Sequence, residues 1–284
     1  MIARHRARIV IVNYNGADFV SKAIESALAQ SVACEVVVVD NASLDESVEV
    51  VSARFPQVEI VRNRTNAGFG AGANIGAYNC EHPYLAFLNP DAVARPEWIE
   101  RITTWMTERE IDVASSIVSA GEGESPFFAG GRWLPWLGAA VAARPARGGE
   151  TDWVSGCALV ARTSAFAQLG GFDPKYFLYF EDVDLSLRAR QHDMRVATYP
   201  EPLVQHETHG RSTDQLGRRR KQCVGYAAKG RLIRRHVRGL AYLSALAFQM
   251  LVSPAVNRVA LRDYPAVLQA FFKGALRGRT DYGK

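Results

Sequence analysis

Tyr84-Leu85-Ala86-Phe87-Leu88-Asn89-Pro90-Asp91 is a short apolar run that stops at polar groups able to hold a metal ion. An uninterrupted apolar run of this length, bounded by polar and proline residues, predicts a strand buried within a parallel sheet. Asn89 and Asp91 then fall at its carboxyl end, where open α/β sheets bind ligands. Pro90 fixes its own φ and biases Asn89 towards extended backbone, so both polar side chains sit on a stiff turn. One amide and one carboxylate on such a turn suit Mg2+ or Mn2+, which prefer oxygen ligands and take the rest from water and phosphate. The same residues also make an ordinary turn ahead of a helix starting near Pro96, so the surrounding chain has to decide.

Upstream, residues 8–13, 35–40 and 57–62 read as strands, and residues 17–30, 44–55 and 70–79 as helices. Strands alternating with helices at these spacings predict an α/β fold, a doubly wound, mostly parallel sheet with helices on both faces. Three strand ends carry polar residues: Asn13-Tyr14-Asn15, Asp40-Asn41-Ala42-Ser43 and Asn89-Pro90-Asp91. Aligned along one edge, they form a ready nucleotide site.

The glycine-rich stretch from Asn66 to Asn74 also fits a dinucleotide fingerprint, with Gly68, Gly70 and Ala73 followed by Asp91 at about the spacing of a ribose-binding acid. A Rossmann-type NAD(P)-dependent oxidoreductase is therefore a rival reading. Against it, these glycines follow the third strand instead of the first, and Asn63 to Asn66 intervene. Small residues that let a helix pack closely on the sheet explain the same composition.

With 284 residues and 48% hydrophobic content, the chain can bury a full core. Cys34, Cys80, Cys157 and Cys223 are widely spaced and form no metal-type or redox pair, which favours a reducing compartment. The basic start is followed by an apolar stretch, Ile9 to Val12, too short for a secretory signal. The net charge of +5 is concentrated late, at Arg218 to Lys221 and then Lys229, Arg231, Arg234, Arg235, His236 and Arg238, implying an anionic partner.

Taken together, Val10 to Asn15, Val38 to Ser43, Asn66-x-Gly68-Phe69-Gly70-x-Gly72-x-Asn74 and Leu88-Asn89-Pro90-Asp91 resemble the inverting GT-A glycosyltransferases of family 2. The resemblance implies that Asn13 and Asp40 hold base and ribose, with Asn66 and Asn74 near ribose and diphosphate, and that Asn15, Asn41, Gly68, Asn89 and Asp91 complete the nucleotide-sugar site. Asn-Pro-Asp takes the place of the Asp-x-Asp metal motif and is similar to that of rhamnosyltransferases using dTDP-rhamnose. An amide at Asn89 makes Asp91 the main metal ligand.

The second half, residues 111–213, is expected to carry the acceptor side and the chemistry. Residues 111–119 read as a strand and 120–152 as a long irregular segment with aromatic residues in and beside it, Phe127, Phe128, Trp133, Trp136 and Trp153. Such rings either stack on sugar faces or cover an apolar flank. Trp153 to Arg162, with Gly156, resembles the family strand bordering the acceptor. In Tyr176 to Arg188, acids at 181, 182 and 184 mark a helix N-terminus, where negative charge is favoured. The run also resembles the family Glu-Asp motif, which implies Asp182 as the base, with Glu181 and Asp184 orienting the site. After the strand at Arg195 to Tyr199, His206 or His209 resembles the family histidine. His206 ends the apolar stretch and is preferred as a metal ligand beside Asp91, with Arg211 and Ser212 on diphosphate oxygens.

These placements imply a transfer of one sugar, rhamnose favoured, from a nucleoside-diphosphate sugar to a glycan or polyprenyl-diphosphate-linked acceptor in cell-envelope polysaccharide synthesis. A UDP-sugar is the other donor implied, and no nucleic acid is involved. Gln215-Leu216-Gly217-Arg218-Arg219 lacks the tryptophan of processive synthases, favouring single transfer. A noncatalytic nucleotide-sugar-binding module is the second rival. Residues 1–213 read as the catalytic domain, with 8–110 its nucleotide-sugar half, and 214–284 as a basic and apolar helical extension. Gly239 to Asn257 is too polar to span a bilayer; it suits a helix lying on a membrane, packed on the catalytic domain, or joining a homodimer. The chain is expected in the cytoplasm, peripheral on the inner membrane face.

Overall fold

The computed structural model describes residues 6–119, 126–128, 130–142, 149–206 and 217–277, with the backbone alone for 126–128. Strand β1 (Ala7–Asn13), helix α1 (Val20–Leu28), β2 (Cys34–Asp40), α2 (Ser47–Arg54), β3 (Glu59–Arg62), α3 (Phe69–Ala77) and β4 (Tyr84–Leu88) alternate along the first part of the chain. β4, β1, β2 and β3 lie side by side and parallel, with Asn13 in register with Asp40.

The continuous apolar runs have a simple cause. Side chains alternate across a strand, and both faces of this sheet are covered. Ile9, Ile11, Val36, Val38, Ala86 and Leu88 enter one core, against α1 and α4 (Trp98–Glu108). Val10, Val12, Val37, Val39, Leu85 and Phe87 enter the other. The glycines of α3 serve this second layer: a Cβ at Gly76 would stand 2.4 Å from Val10 Cγ1, and one at Gly72 2.8 Å from Val12 Cγ1.

Past Asp91 the chain makes a short strand, β5 (Ala92–Ala94), before α4. Then follow β6 (Val113–Ser119), β7 (Pro126–Phe128), β8 (Gly131–Leu134), β9 (Ala139–Ala142), β10 (Gly149–Glu150) and β11 (Ala158–Arg162). Residues 120–152, expected to be irregular, thus hold four short strands among the described residues, β8 and β9 forming a separate hairpin. The strand expected over Trp153 to Arg162 starts only at Ala158, and residues 153–157 form a loop. β11 runs antiparallel to both its neighbours, β4 and β6. Helices α5 (Thr163–Gln168) and α6 (Glu181–Gln191) lead to β12 (Val196–His206), parallel to β6. β12 absorbs irregularities near Pro200 and Pro202 and merges two segments read separately in the sequence.

The C-terminal part is helical: α7 (Arg218–His236), α8 (Gly239–Leu251), α9 (Ser253–Val256) and α10 (Tyr264–Phe272). Ala228 and Leu232 of α7 share a buried cluster with Tyr176, Val183 and Leu187 of the preceding half, so this helix packs on the sheet-bearing part. Among the described residues, no helix is long and apolar enough to cross a membrane.

Candidate active site

Register explains how two residues far apart in sequence meet. β5 pairs antiparallel with the end of β12, and Ala92 faces His206. Asp91, one residue earlier, therefore has His206 Nε2 3.1 Å from its Oδ1, with Asn89 Nδ2 3.4 Å from the same ring nitrogen. All three lie at the carboxyl ends of β4 and β12. Burial alone would lower the imidazole pKa, but Asp91 and the Cys157 thiol outweigh it and raise it to about 10.

Whether these groups fit a divalent cation can be tested on their chemistry. A carboxylate, an imidazole and an amide side by side match the donor set of a cation that completes its shell with phosphate oxygens and water. Among the described residues no group of three His, Cys, Asp or Glu side chains is placed to hold a metal alone. The carboxylate, imidazole and amide fit a cation whose remaining positions water or a substrate would fill. Binding it requires that His206 give up its proton.

The acidic pair stands at the start of α6. Tyr179 and Phe180 precede it with φ of 71° and 66°, left-handed backbone that aromatic residues rarely adopt and that marks a constrained turn. The turn delivers Glu181 and Asp182 to the helix N-terminus. Asp182 Oδ2 accepts from the Gly156 backbone N–H at 2.9 Å and Oδ1 from that of Val183 at 2.7 Å. Burial raises its pKa despite these donors. Glu181 is also raised, to about 8, first by burial and then by Asp182 beside it, and its Oε2 is buried with no hydrogen-bond partner among the described residues.

Glycine at position 68 lets the two halves touch. Gly68 has φ 86°, and a Cβ there would lie 2.1 Å from the Phe177 carbonyl oxygen. Phe69 N–H donates to that same oxygen at 3.0 Å, so the start of α3 leans directly on the aromatic run before Asp182. Asn66 Oδ1 accepts from the Gly68 N–H at 3.0 Å, and Asn41 Nδ2 donates to the Gly68 carbonyl at 3.0 Å.

Between these parts lies a cavity of about 690 Å³. Its lining includes Asn41, Asn66 and Gly68, then Asn89 and His206, and Trp153, Gly156, Glu181 and Asp182. Other candidate residues lie elsewhere. Asn13, Asn15 and Asp40 knit the strand ends: Asn13 Nδ2 lies 3.2 Å from Asp40 Oδ1, and Asn15 Oδ1 accepts from Leu44 N–H at 2.7 Å. Asn74 spends its amide on the Phe172 backbone, donating to O at 2.7 Å and accepting from N at 2.9 Å. Asp184 is fully buried in an ion cluster away from the cavity. Arg211, Ser212 and His209 lie outside the described residues.

This fold and this cavity agree with what the chain resembles. The model of the family "Glycosyl transferase family 2" matches residues 8–170. The chain belongs to that family. This glycosyltransferase is 28% identical over 214 residues to the N-acetylglucosaminyl-diphospho-decaprenol L-rhamnosyltransferase of Mycobacterium tuberculosis, covering 63% of this chain and 69% of the relative. It is 23% identical over 221 residues to the rhamnosyltransferase WbbL of Escherichia coli, covering 71% of this chain and 83% of the relative. Among solved structures, S. aureus TarS 1–349 in complex with UDP-GlcNAc superposes with a TM-score of 0.66 at 15% identity, covering 95% of this chain and 81% of that one. The oxidoreductase reading of Gly68 to Ala73 is set aside: the glycosyltransferase uses Gly72 and Gly76 to seat α3 on β1 and Gly68 to admit Phe177.

The sequence did not single out one part of the cavity lining. Gln222, Gly225, Tyr226 and Lys229 of α7 and Asn257 beyond α9 also line the cavity of the glycosyltransferase. Their three-, four- and seven-residue spacing places the α7 residues on one helix face. That periodicity was available in the sequence, but nothing in it said which surface the face meets.

Proposed function

We propose that the chain moves one sugar, rhamnose favoured, from dTDP-rhamnose to a hydroxyl of a glycan or polyprenyl-diphosphate-linked acceptor with inversion at the anomeric carbon. The observation that carries this is the single cavity lined by the Asn66–Gly68 turn, the Asn89 and His206 pair, and Asp182. The names of the two rhamnosyltransferase relatives support the sugar, and the UDP-GlcNAc bound by the structural neighbour supports a nucleotide-sugar donor.

In this mechanism Asn41, Asn66 and Gly68 seat the nucleotide. Asp91 and His206 would hold Mg2+ or Mn2+, which supplies charge neutralisation for the departing diphosphate. Asp182 takes the proton from the acceptor hydroxyl; burial keeps its basicity above that of a solvated aspartate, and the Gly156 and Val183 amides fix its direction. Burial and the mutual repulsion of the two carboxyls favour a proton on the Glu181–Asp182 pair, which lowers the charge buried beside the acceptor. Trp153 offers a ring to the acceptor sugar.

The C-terminal helices supply contact with the membrane surface at the cytoplasmic face. Leu240, Leu243, Leu251, Val256 and Leu261 are all more than half exposed there, beside a chain rich in arginine. The test of function is a transfer assay with dTDP-rhamnose and UDP-sugars in parallel, with NMR of the product anomer. Transfer from dTDP-rhamnose with inverted configuration is expected. Turnover of a UDP-sugar alone, or retention, would overturn the donor or the mechanism respectively.

A further inference from the structure

Helix α7 carries cations of two kinds. Arg231 and Arg235 point back into the protein and share Asp173 at 2.6 and 2.8 Å. Lys229 does not. It turns to the cavity, its Nζ 4.9 Å from the Tyr226 ring centroid and 6.0 Å from that of Phe180. Among the described residues it has neither an ion pair nor a hydrogen bond. Burial without a counter-charge pulls its pKa down to about 8. One helical turn pair earlier on the same face, Gln222 lines the same cavity with a buried Oε1 that has no hydrogen-bond partner among the described residues.

A half-buried ammonium that meets only aromatic faces and a cavity is costly unless an anion joins it. Its neighbour Phe180 directly precedes Glu181 and Asp182, so Lys229 stands beside the acidic pair. We propose that Lys229 is the anion-holding residue of an acceptor subsite, taking a phosphate oxygen of a phosphorylated acceptor while Asp182 addresses its hydroxyl. Gln222 Oε1 is left to accept from a further acceptor hydroxyl. The inference rests on the transferase reading of the cavity. A phosphate oxygen could also come from the donor diphosphate, and the experiment separates the two sources.

The experiment titrates farnesyl diphosphate, UDP and dTDP separately into the full chain, as wild type, Lys229→Gln and Lys229→Arg, by calorimetry. Farnesyl diphosphate affinity is expected to fall at least tenfold in Lys229→Gln and to recover in Lys229→Arg, with both nucleotides unchanged within twofold. Equal loss of nucleotide affinity would move the anion to the donor and overturn the acceptor subsite. No change for any ligand, or no binding of farnesyl diphosphate by wild type that binds nucleotide, would overturn it as well. A wild type that binds neither UDP nor dTDP would instead remove the transferase reading beneath it. Lys229→Met, which keeps the stem packed on Tyr226, replaces Lys229→Gln if the melting curve shows misfolding.

Discussion

Asp184 Oδ1 on the first turn of α6 meets His236 Nε2 at the end of α7, 2.8 Å away. Its other oxygen accepts from Arg188 Nε at 2.8 Å and lies 3.4 Å from Arg235 Nη1. Burial alone would raise this carboxyl, but His236, Arg188 and Arg235 hold its pKa below the usual aspartate range. Asp184→Asn would leave buried cations uncompensated, at a cost of about 3–5 kcal/mol. Urea denaturation should show the loss. Because the folded pKa is depressed, the wild-type contribution is present above the ordinary aspartate pKa and disappears as pH falls below it.

Glu181 has the opposite sign. Its folded pKa is raised from 4.5 to about 8, so the folded state binds a proton that the unfolded chain releases, and stability falls as pH rises between those values. Glu181→Gln should therefore stabilise the protein near neutral pH by on the order of 1–2 kcal/mol. It should also flatten the slope of melting temperature against pH from about 5 to 8. An unchanged slope would remove Glu181 from the pair as described.

Asp182→Asn keeps the size of the side chain and removes the proposed base. A fall in kcat of about 10²- to 10⁴-fold is expected, with the dissociation constant for dTDP unchanged. If kcat survives within tenfold, the proton leaves by another route.

Chelation provides a separate check. Treatment with EDTA should abolish nucleotide-sugar turnover, and Mg2+ or Mn2+ should restore it in wild type but not in Asp91→Ala. Full turnover in EDTA would leave His206 and Asp91 as a purely protein ion pair.

Gly68→Ala places a methyl group against the Phe177 carbonyl in a backbone region alanine avoids. The expected cost is about 1–3 kcal/mol, with kcat reduced because the segment leading to Asp182 shifts. Wild-type melting and kcat would disprove the link between the two halves.

Much of the first half of the chain was readable in the sequence because its strands are buried on both faces. Val36 to Val39 or Leu85 to Leu88 can hardly be anything else. Periodicity identifies a strand but not its direction, so the antiparallel β11 between β4 and β6 was not visible. The strand pairs from 126 to 150 are short and half exposed where described, and carry little apolar pattern. Asp184 looked the same as Asp182 in sequence, one turn-start acid among three; only the arrival of Arg188, His236 and Arg235 separates them. Asn74 likewise offers an amide that could face a sugar, and the Phe172 backbone claims it instead. Lys229 was one cation in a basic stretch until α7 was laid against Phe180.

The inserted strand β11 also has a kinetic consequence. β1, β2 and β3 draw all their sheet partners from residues 7–88, whereas β4 gains its second neighbour only when residues 158–162 join it, with residues 113–119 and 196–206 extending the sheet beyond them. Pairings between distant segments form slowly, because the chain loses loop entropy before contacts compensate. Refolding from urea should thus run in two phases, with Trp153 fluorescence and nucleotide binding both recovered in the slower one. A nascent chain of this design would hold the parallel strands β1 to β4 well before the rest of the cavity lining existed.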